Sequence, residues 1–458
     1  MAVGGAVTAL VLVGAGVGSA VAGPDQPALR TAASTGQHRA ATPISTRSSF
    51  AGPAGHRYVA GQVIVGYRQG ATTHARSAVV REVRAHHTRG LGVRSTLLHV
   101  RRGRVKATIA RLRKSRSVRY AEPNFVIHDA GVPNDADFNR EWGLWNTGQK
   151  VENSSTPGKQ GADISATQAW SIATSTHPVV IGEVDSGVDY THPDLAANIW
   201  RNPGGLGGCP AGTHGYNVVA GNCAPQDDYN HGTFVAGVMG AVGNNGQGVT
   251  GVAWKTSILP VKYIHQQGWG TVAELIQGLN WIVAAKQAGV DVRVVNDSGT
   301  WTSWTFSQSL KDELGRLADN DILFVTAAGN TQQDNDTTPR YPCDYDAPNE
   351  ICVAATNQWD DLAWFSNYGA TTVDLAAPGQ SIYSTLPGGK YGYWSGASFS
   401  SAYVAGAAAL VQGHCPALSV TQLKADIVQS VDPDSALHGK VVSGGRLDLY
   451  QAMKGCGP

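Results

Sequence analysis

The amino-acid sequence predicts a large α/β domain, with a parallel sheet covered by helices on both faces, preceded by a small α+β domain. From about residue 170 onward, short apolar segments alternate with amphipathic ones, which is typical of such a sheet. Residues 57–120 carry 16 Lys and Arg against one acidic residue, so they form a separate unit. The chain has 458 residues, of which 42% are hydrophobic and 15% charged. This composition supports a sizeable core and excludes a coiled coil or a charge-rich disordered protein.

The N-terminal segment is uncharged over residues 2–22 and ends in Ala20-Val21-Ala22, a small-residue cleavage pattern. We interpret residues 1–22 as a signal peptide and expect a secreted protein. The alternative is a membrane anchor, because the segment is almost long enough to cross a bilayer, but its Gly and Ala content favours the signal peptide. No later stretch approaches 18 apolar residues, so we expect no stable membrane anchor. Residues 23–56 are rich in Pro, Ala, Ser, Thr and Gly and are predicted to be a linker.

The small domain is predicted from short patterned segments. A β-branched run at Val63–Val65 predicts a strand, and residues 75–87 and 105–114 predict helices, the second with an apolar face. The large domain has strands and helices in alternation. Its predicted strands are 179–184, 258–264, 290–295 and 322–326, and its predicted helices are 231–242, 271–288, 306–320 and 403–411. In such sheets, sites form where strands end and helices begin.

Three reactive side chains stand at such places, in the chain order Asp, His, Ser. Asp185 follows the strand at 179–184, His231 opens a small-residue helix, and Ser398 precedes an apolar helix. Ser398 becomes a nucleophile only if a base removes its proton, and His231 can do so. Asp185 would orient the imidazole and stabilise the imidazolium. Asn330, after the strand at 322–326, and the Ser398 N–H would stabilise an oxyanion.

Four sequence blocks resemble those of subtilisin-like serine proteases, in the same order and with compatible spacing. The blocks are VDSGVDYTHPDL (184–195), HGTFVAG (231–237), AAGN (327–330) and GASFSSAYVAGAAAL (396–410). Upstream, GQVIVGY (61–67) and VRYAEPNF (118–125) resemble the start and end of the family's inhibitory propeptide. The resemblance implies a subtilisin-like sheet, a serine endopeptidase acting on proteins or peptides, and no cofactor for catalysis.

The resemblance also implies a domain division, with an inhibitory propeptide at 57–130 and a catalytic domain at 131–458. It predicts a cut after Ala130 and a mature N-terminus at Gly131. Residues 121–458 carry 32 acidic against 16 basic residues, so a basic propeptide would match an acidic enzyme electrostatically. The alternative, that the basic segment binds nucleic acid or an anionic surface, is disfavoured by its few aromatic residues. We therefore expect the propeptide as an intramolecular inhibitor, no nucleic-acid partner and a monomer.

Further site residues follow from the resemblance. The segment Gly268-Trp269-Gly270 and the opposite one at Ser298-Gly299 match those that pair with an extended substrate, which would add as a strand. The alternative is that they are ordinary loop residues. Asp194 and Asn244 match positions where relatives hold a structural calcium, since oxygen ligands suit a hard cation. The alternative there is a loop without metal.

The chain departs from the family pattern near the predicted site. The usual serine block, Gly-Thr-Ser-Met-Ala-x-Pro, is replaced by residues 396–402, and Phe234 stands where a second His is common. Glu183 stands where an apolar residue is usual, and an unpaired buried carboxylate is costly. Glu183 therefore faces solvent, has a polar partner, or titrates near the site. These departures motivate a rival hypothesis, a catalytically decayed subtilase fold that serves as a binding or scaffold protein.

Six cysteines all lie beyond residue 200, and secretion permits disulfides. Pairing of sequence neighbours predicts three bridges, of which the first two close short loops. They are Cys209–Cys223, Cys343–Cys352 and Cys415–Cys456.

Overall fold

The computed structural model describes residues 49–51, 57–92, 94–125, 131–299 and 306–455. The chain divides into two compact units, Met1–Val126 and Ile127–Pro458. The predicted signal peptide and most of the predicted linker lie outside the described residues, as does Ala130. Within the described ranges, no helix has the length and apolar character needed to cross a membrane.

The first unit is a five-stranded antiparallel sheet with two helices. Its elements are β1 (Ser49–Ala51), β2 (Arg57–Tyr67), α1 (Thr73–Glu82), β3 (His87–Gly90), β4 (Ser95–His99), α2 (Val105–Leu112) and β5 (Val118–Phe125). The long strand β2 pairs with β1, β4 and β5, and β3 adds to β4. Val63 and Val65 of β2 pack with Ile109 and Leu112 of α2 in a common core. The helix and the sheet thus bury each other's apolar face.

Two elements of this unit differ from the sequence predictions. The helix expected over 75–87 ends at Glu82, and His87–Gly90 instead form β3. Residues 49–51, expected to be linker, form β1 against β2. Each segment pairs with the strand that follows it in the chain, and such pairing leaves no periodic signal in a segment of three or four residues.

The second unit is built on a nine-stranded, mostly parallel sheet with the strand order β15-β16-β12-β11-β10-β9-β6-β8-β7. Only β15 runs antiparallel to its neighbour within this sheet, and β13 and β14 form a separate hairpin. The elements are α3 (Ala166–Ala169), β6 (Val180–Asp185), β7 (Tyr216–Asn217), α4 (His231–Gly240), β8 (Ile258–Lys262), α5 (Val272–Gln287), β9 (Val292–Asp297), α6 (Gln308–Asp319), β10 (Leu323–Ala327), β11 (Glu350–Thr356), β12 (Leu375–Pro378), β13 (Ile382–Leu386), β14 (Lys390–Trp394), α7 (Ala397–His414), α8 (Val420–Gln429), β15 (Val431–Pro433), β16 (Gly445–Leu447) and α9 (Leu449–Gly455).

Helices cover both faces of the sheet, as the sequence predicts. One apolar core packs α4 and α7 against one face, and a second packs α5 and α6 against the other. The helix α5 starts at a capping box, in which Thr271 accepts from the N–H of Glu274 and the Glu274 carboxylate accepts from the N–H of Thr271. Its apolar stripe, which includes Leu275, Leu279 and Ile282, is fully buried.

The helices α4 and α7 lie unusually close together. A Cβ atom on Gly406 of α7 would come within 2.9 Å of the Met239 carbonyl of α4, so only glycine allows this approach. Every residue of α7 from Ala397 to Gln412 is buried. The two helices carry His231 and Ser398 in their first turns, so their close packing sets the distance between the two side chains.

Among bridges whose two cysteines are both described, the structure has two, Cys209–Cys223 and Cys343–Cys352. These are the two pairs predicted to close short loops. The third predicted pair includes Cys456, which lies outside the described residues.

Candidate active site

Asp185 and His231 form a hydrogen-bonded pair at the carboxyl edge of the sheet. Asp185 is the last residue of β6 and is fully buried, and His231 is the first residue of α4. The His231 Nδ1 lies 2.8 and 2.9 Å from the two Asp185 carboxylate oxygens. The N–H of Ser186 also donates to Asp185 Oδ1, at 2.6 Å. This arrangement fixes the imidazole with its Nε2 free to take a proton.

The charge around His231 is strongly negative. Burial by itself lowers the pKa of His231, but the charge and hydrogen bond of Asp185, helped by Asp227 and Asp297, raise it above the ordinary value of 6.5. Burial raises the pKa of the Asp297 carboxyl to about 7. Proton uptake by His231 is therefore favoured, as a general base requires.

Asp227 holds the start of α4 in place, a role that the sequence reasoning missed. Its Oδ1 accepts from the Ser186 hydroxyl at 2.8 Å and from the N–H of Asn230 at 2.9 Å. Its Oδ2 accepts from the N–H of Thr233 at 2.9 Å. Asp227 thus satisfies first-turn donors of the helix that carries His231. An acidic residue just before a predicted helix is a capping signal that could have identified it.

Ser398 is the second residue of α7 and is 5% exposed. Its hydroxyl donates to the Ser298 carbonyl at 3.0 Å, so in this structure the hydroxyl proton is directed to Ser298. The His231 ring nevertheless lies beside the next residue, with 5.9 Å between the ring centroids of His231 and Phe399.

Asn330 lies next to Ser398 and has an oriented amide. Its Oδ1 accepts from the N–H of Ala397 at 2.8 Å. Because the oxygen end is held in this way, the Nδ2 end is presented as a donor. The N–H groups in the first turn of α7 have no partner within the helix. Asn330 Nδ2 and the Ser398 N–H are therefore two donors that could meet a negative oxygen.

Two of the departures from the family pattern contact each other. Phe234 and Phe399 pack with their ring centroids 4.4 Å apart, and Trp394 lies 5.8 Å from both rings. Trp394 also meets the edge of His231, at 5.8 Å between ring centroids. This aromatic cluster packs against the imidazole in place of the side chains usual in the family.

Tyr263 separates the two predicted substrate segments. A Cβ atom on Gly270 would lie 2.8 Å from the Tyr263 ring, and one on Gly299 would lie 2.5 Å from its hydroxyl oxygen. That hydroxyl donates to Asp297 Oδ1 at 2.9 Å. The structure thus places Gly268–Gly270 and Ser298–Gly299 at opposite ends of one buried ring. Trp269 is 51% exposed and stacks on His265.

The residues predicted to bind calcium lie in one polar cluster. Asp194 accepts from the Asn245 amide at 2.7 Å and the Val249 N–H at 2.9 Å. Asn244 donates its N–H to Asp135 at 2.6 Å. Burial, with the nearby negative charge of Asp194, raises the pKa of Asp135. Among the described residues, no group of three or more His, Cys, Asp or Glu side chains could hold a metal ion.

Comparison with known proteins gives two family matches. Residues 176–445 match the Subtilase family, and residues 44–124 match the Fervidolysin N-terminal prodomain. The matches cover the two units found in the structure.

Individual proteins are similar over most of the chain. A thermophilic serine proteinase from Bacillus sp. (strain AK1) is 31% identical over 400 residues, 86% of this chain and 88% of that protein. Thermitase from Thermoactinomyces vulgaris is 34% identical over 293 residues, 64% of this chain and 94% of that protein. Among solved structures, a protease from Pseudoalteromonas arctica PAMC 21717 superposes with a TM-score of 0.58 and 22% identity, over 71% of this chain and 100% of that one. This last likeness supports the fold.

We predict that Asp227→Ala lowers the free energy of unfolding by at least about 2 kcal/mol, because several buried donors lose their acceptor. Chemical unfolding followed by circular dichroism, in the Ser398→Ala background, measures the change. The matched control Asp319→Ala removes the same charge from an exposed site at the end of α6 and should change stability by about 0.5 kcal/mol or less. Equal effects of the two substitutions would contradict the role assigned to Asp227.

Proposed function

From the premise that the chain belongs to the subtilase family of serine proteases, we propose that it is a secreted, self-processed endopeptidase with the triad Asp185, His231 and Ser398. The observation that carries the proposal is the hydrogen-bonded Asp185–His231 pair beside α7, whose second residue is Ser398. The ordered set of four sequence blocks supports it further.

The proposed chemistry is acyl transfer. His231 Nε2 takes the proton of Ser398 as Oγ attacks the carbonyl carbon of the scissile bond. Asn330 Nδ2 and the Ser398 N–H stabilise the resulting oxyanion, and Asp185 stays ionised and stabilises the imidazolium. The C–N bond then breaks as His231 gives its proton to the departing amine. In the second half, His231 removes a proton from water, which attacks the acyl-enzyme, and then returns that proton to Ser398.

The substrate is expected to bind as an extended strand between Gly268–Gly270 and Ser298–Gly299. Tyr263 supports this proposal, because its buried ring holds both segments in place. Backbone groups of the two segments would pair with the substrate main chain, which would account for a general action on proteins and peptides.

The N-terminal unit is proposed to be an inhibitory propeptide that the enzyme cuts from itself. The match of residues 44–124 to a protease prodomain supports this. Its excess of basic residues is opposite in sign to the charge of residues 121–458. We propose cleavage after Ala130, so that the mature enzyme begins at Gly131. Secretion is supported by the uncharged N-terminal segment with its A-x-A pattern and by two disulfides.

Calcium is proposed as a structural ion near Asp194 and Asn244. The donor set fits, because it is rich in oxygen atoms and because Asp135 and Asp194 are neighbouring carboxylates whose repulsion a cation would relieve. Amide and backbone carbonyl oxygens would complete the shell. The ion would stabilise these loops and take no part in the chemistry.

We predict that Ser398→Ala accumulates as an unprocessed precursor, whereas the wild-type chain yields a form that begins within a few residues of Gly131. N-terminal sequencing of the secreted protein checks this. A serine-directed sulfonyl fluoride should label Ser398 and abolish peptide hydrolysis. The substitution should lower kcat by about 10⁶-fold, the scale known for subtilisin.

Three outcomes would contradict the proposal. An active enzyme that keeps an N-terminus near Gly23 would exclude self-processing at Ala130. Normal processing of the Ser398→Ala chain, in the absence of another protease, would exclude autocatalysis. Absence of labelling in correctly folded protein would favour the decayed, binding-protein alternative.

We predict that kcat/KM falls on acidification with a midpoint above pH 6.5, because protonated His231 cannot accept the Ser398 proton and its pKa is raised. Hydrolysis of an uncharged peptide substrate over a pH series measures the midpoint. Asp227→Asn removes a neighbouring negative charge and should move the midpoint to lower pH. Asp319→Asn, far from the site, should leave it in place, and a midpoint below 6.5 in the wild-type enzyme would contradict the prediction.

We predict that calcium raises the melting temperature of the sulfonyl-fluoride-inhibited enzyme relative to the same protein in EDTA. Differential scanning calorimetry measures the difference. Asp194→Asn should reduce it, because one carboxylate ligand is lost. If calcium leaves the melting temperature of the wild-type protein unchanged, the loops that carry Asp194 and Asn244 do not bind a stabilising calcium ion and the proposal is wrong.

A further inference from the structure

Glu183 is a buried acid that the proposed mechanism does not use. It lies within β6, two residues before Asp185, and is 1% exposed. Neither of its carboxyl oxygens has a hydrogen-bond partner among the described residues. A Cβ atom on Gly232 would lie 3.1 Å from Glu183 Oε1. The carboxyl therefore lies against the first turn of α4, next to the backbone of the residue that follows His231.

A second polar atom without a partner lies on the neighbouring strand. Glu183 of β6 and Asn296 of β9 are register partners in the parallel sheet, so their side chains project from the same face. The Asn296 amide nitrogen donates to Ser298 Oγ at 2.7 Å, which directs its Oδ1 elsewhere. That Oδ1 is buried and has no partner in the described part of the chain.

The two unsatisfied groups are complementary only if Glu183 carries a proton. An ionised carboxylate and an amide oxygen are both acceptors, so they cannot satisfy each other. A protonated carboxyl is a donor, and it would satisfy itself and Asn296 Oδ1 with one hydrogen bond. Leaving both groups unpaired in the core would be costly.

The charges around Glu183 also favour the neutral acid. Asp185 lies on its own strand, and Asp227 and His231 face it from the start of α4, where His231 is already paired with Asp185. From β8, Lys262 directs its Nζ to Ser186 O, Ile264 O and Asp228. On the neighbouring strand β9, Asp297 accepts a hydrogen bond from the Tyr263 hydroxyl. Burial and the charges of Asp185 and Asp227 raise the pKa of Glu183 well above its ordinary value.

We propose that Glu183 is a positioning residue that works as a neutral acid, donating to Asn296 Oδ1 and so coupling the Asp185 strand to the segment that holds Ser398. The coupling runs through Ser298, which accepts from Asn296 and donates its hydroxyl to the Ser398 carbonyl at 2.8 Å. The Ser298 carbonyl in turn accepts from the Ser398 hydroxyl. A proton on Glu183 would thus connect the strand that carries Asp185 to Ser398, through Asn296 and Ser298. The inference rests on the proposed function only for its effect on catalysis.

The proposal has a defined pH signature. In the unfolded chain Glu183 ionises near its ordinary pKa, whereas in the folded chain it keeps its proton to higher pH. The folded state therefore binds more protons between these two values, and its stability falls as pH rises through that window. At alkaline pH, ionisation breaks the bond to Asn296 and adds a negative charge beside Asp185.

The experiment compares wild type with Glu183→Gln, both inactivated with a sulfonyl fluoride. Infrared spectra at about pH 8 should show a protonated carboxyl C=O band in wild type that is missing from E183Q. The stability of E183Q relative to wild type should increase from about pH 5 to about pH 9, because the variant has no proton to lose. Absence of the band from wild type, or a stability difference independent of pH, would overturn the proposal.

The pH dependence of kcat distinguishes a positioning role from a purely structural one. A buried acid with only a structural role would not change it. The ratio of kcat at about pH 10 to kcat at about pH 8 should be severalfold higher in E183Q than in wild type, with KM little affected. The matched control is Glu350→Gln, which replaces another buried glutamate at the opposite end of the sheet, where β11 begins. E350Q should change stability but keep the wild-type activity ratio. Identical ratios in all three proteins would refute a positioning role for Glu183.

A second variant keeps the test decisive if E183Q does not fold. Asn296→Leu removes the acceptor, so the Glu183 C=O band should shift to the position of a carboxyl group without a hydrogen-bonded partner. An unshifted band would show that Asn296 is not the partner. The infrared and stability results hold whether or not the protein is a protease, so they separate failure of this inference from failure of the proposed function.

Discussion

The parallel pairing of β6 with β8 and β9 is the constraint on which the site depends. Because parallel strands end at the same edge, this pairing brings Asp185, Lys262 and Asp297 together, although they are far apart in sequence. The close packing of α4 on α7 then sets His231 and Ser398 above that edge. A change in the register of β6 would move Asp185 away from His231, whatever the quality of the rest of the core.

The region around this edge shows two opposite ways of burying a carboxyl group. Asp227 is surrounded by N–H and hydroxyl donors, so both its carboxylate oxygens are satisfied while it holds the first turn of α4. Glu183 lies against the same helix but has no donor among the described residues, so the neutral form is the stable one. The difference comes from position. A helix N-terminus offers free N–H groups, whereas the N–H groups in the middle of a strand are already bonded to the neighbouring strands.

The departures of the serine and histidine blocks from the family pattern are coupled in space. Phe234 and Phe399 lie more than 160 residues apart in the chain yet pack ring against ring beside His231. Considered singly, each substitution is a reason to doubt the site. Together with Trp394 they form one aromatic cluster that contacts the imidazole, whose Nδ1 is held by hydrogen bonds to Asp185.

The sequence by itself determined the α/β architecture, the order of the main strands and helices, and the positions of Asp185, His231, Asn330 and Ser398 at element ends. These features can be predicted because apolar periodicity marks each strand and helix, and the polar site residues stand within a few positions of the ends of those elements. It also predicted both short-loop disulfides from proximity alone. It did not predict β1 or β3, because a segment of three or four residues is too short to show a periodic pattern, although each pairs with the next strand along the chain.

Only the tertiary structure decided how the side chains meet. It directed the Ser398 hydroxyl to the Ser298 carbonyl, brought Asp227 to the Ser186 hydroxyl, and placed Glu183 opposite Asn296 with no hydrogen-bond partner among the described residues. Each of these depends on which residue of one strand or helix stands opposite a residue more than 40 positions away. Such register is fixed by the packed core, and no local sequence pattern encodes it.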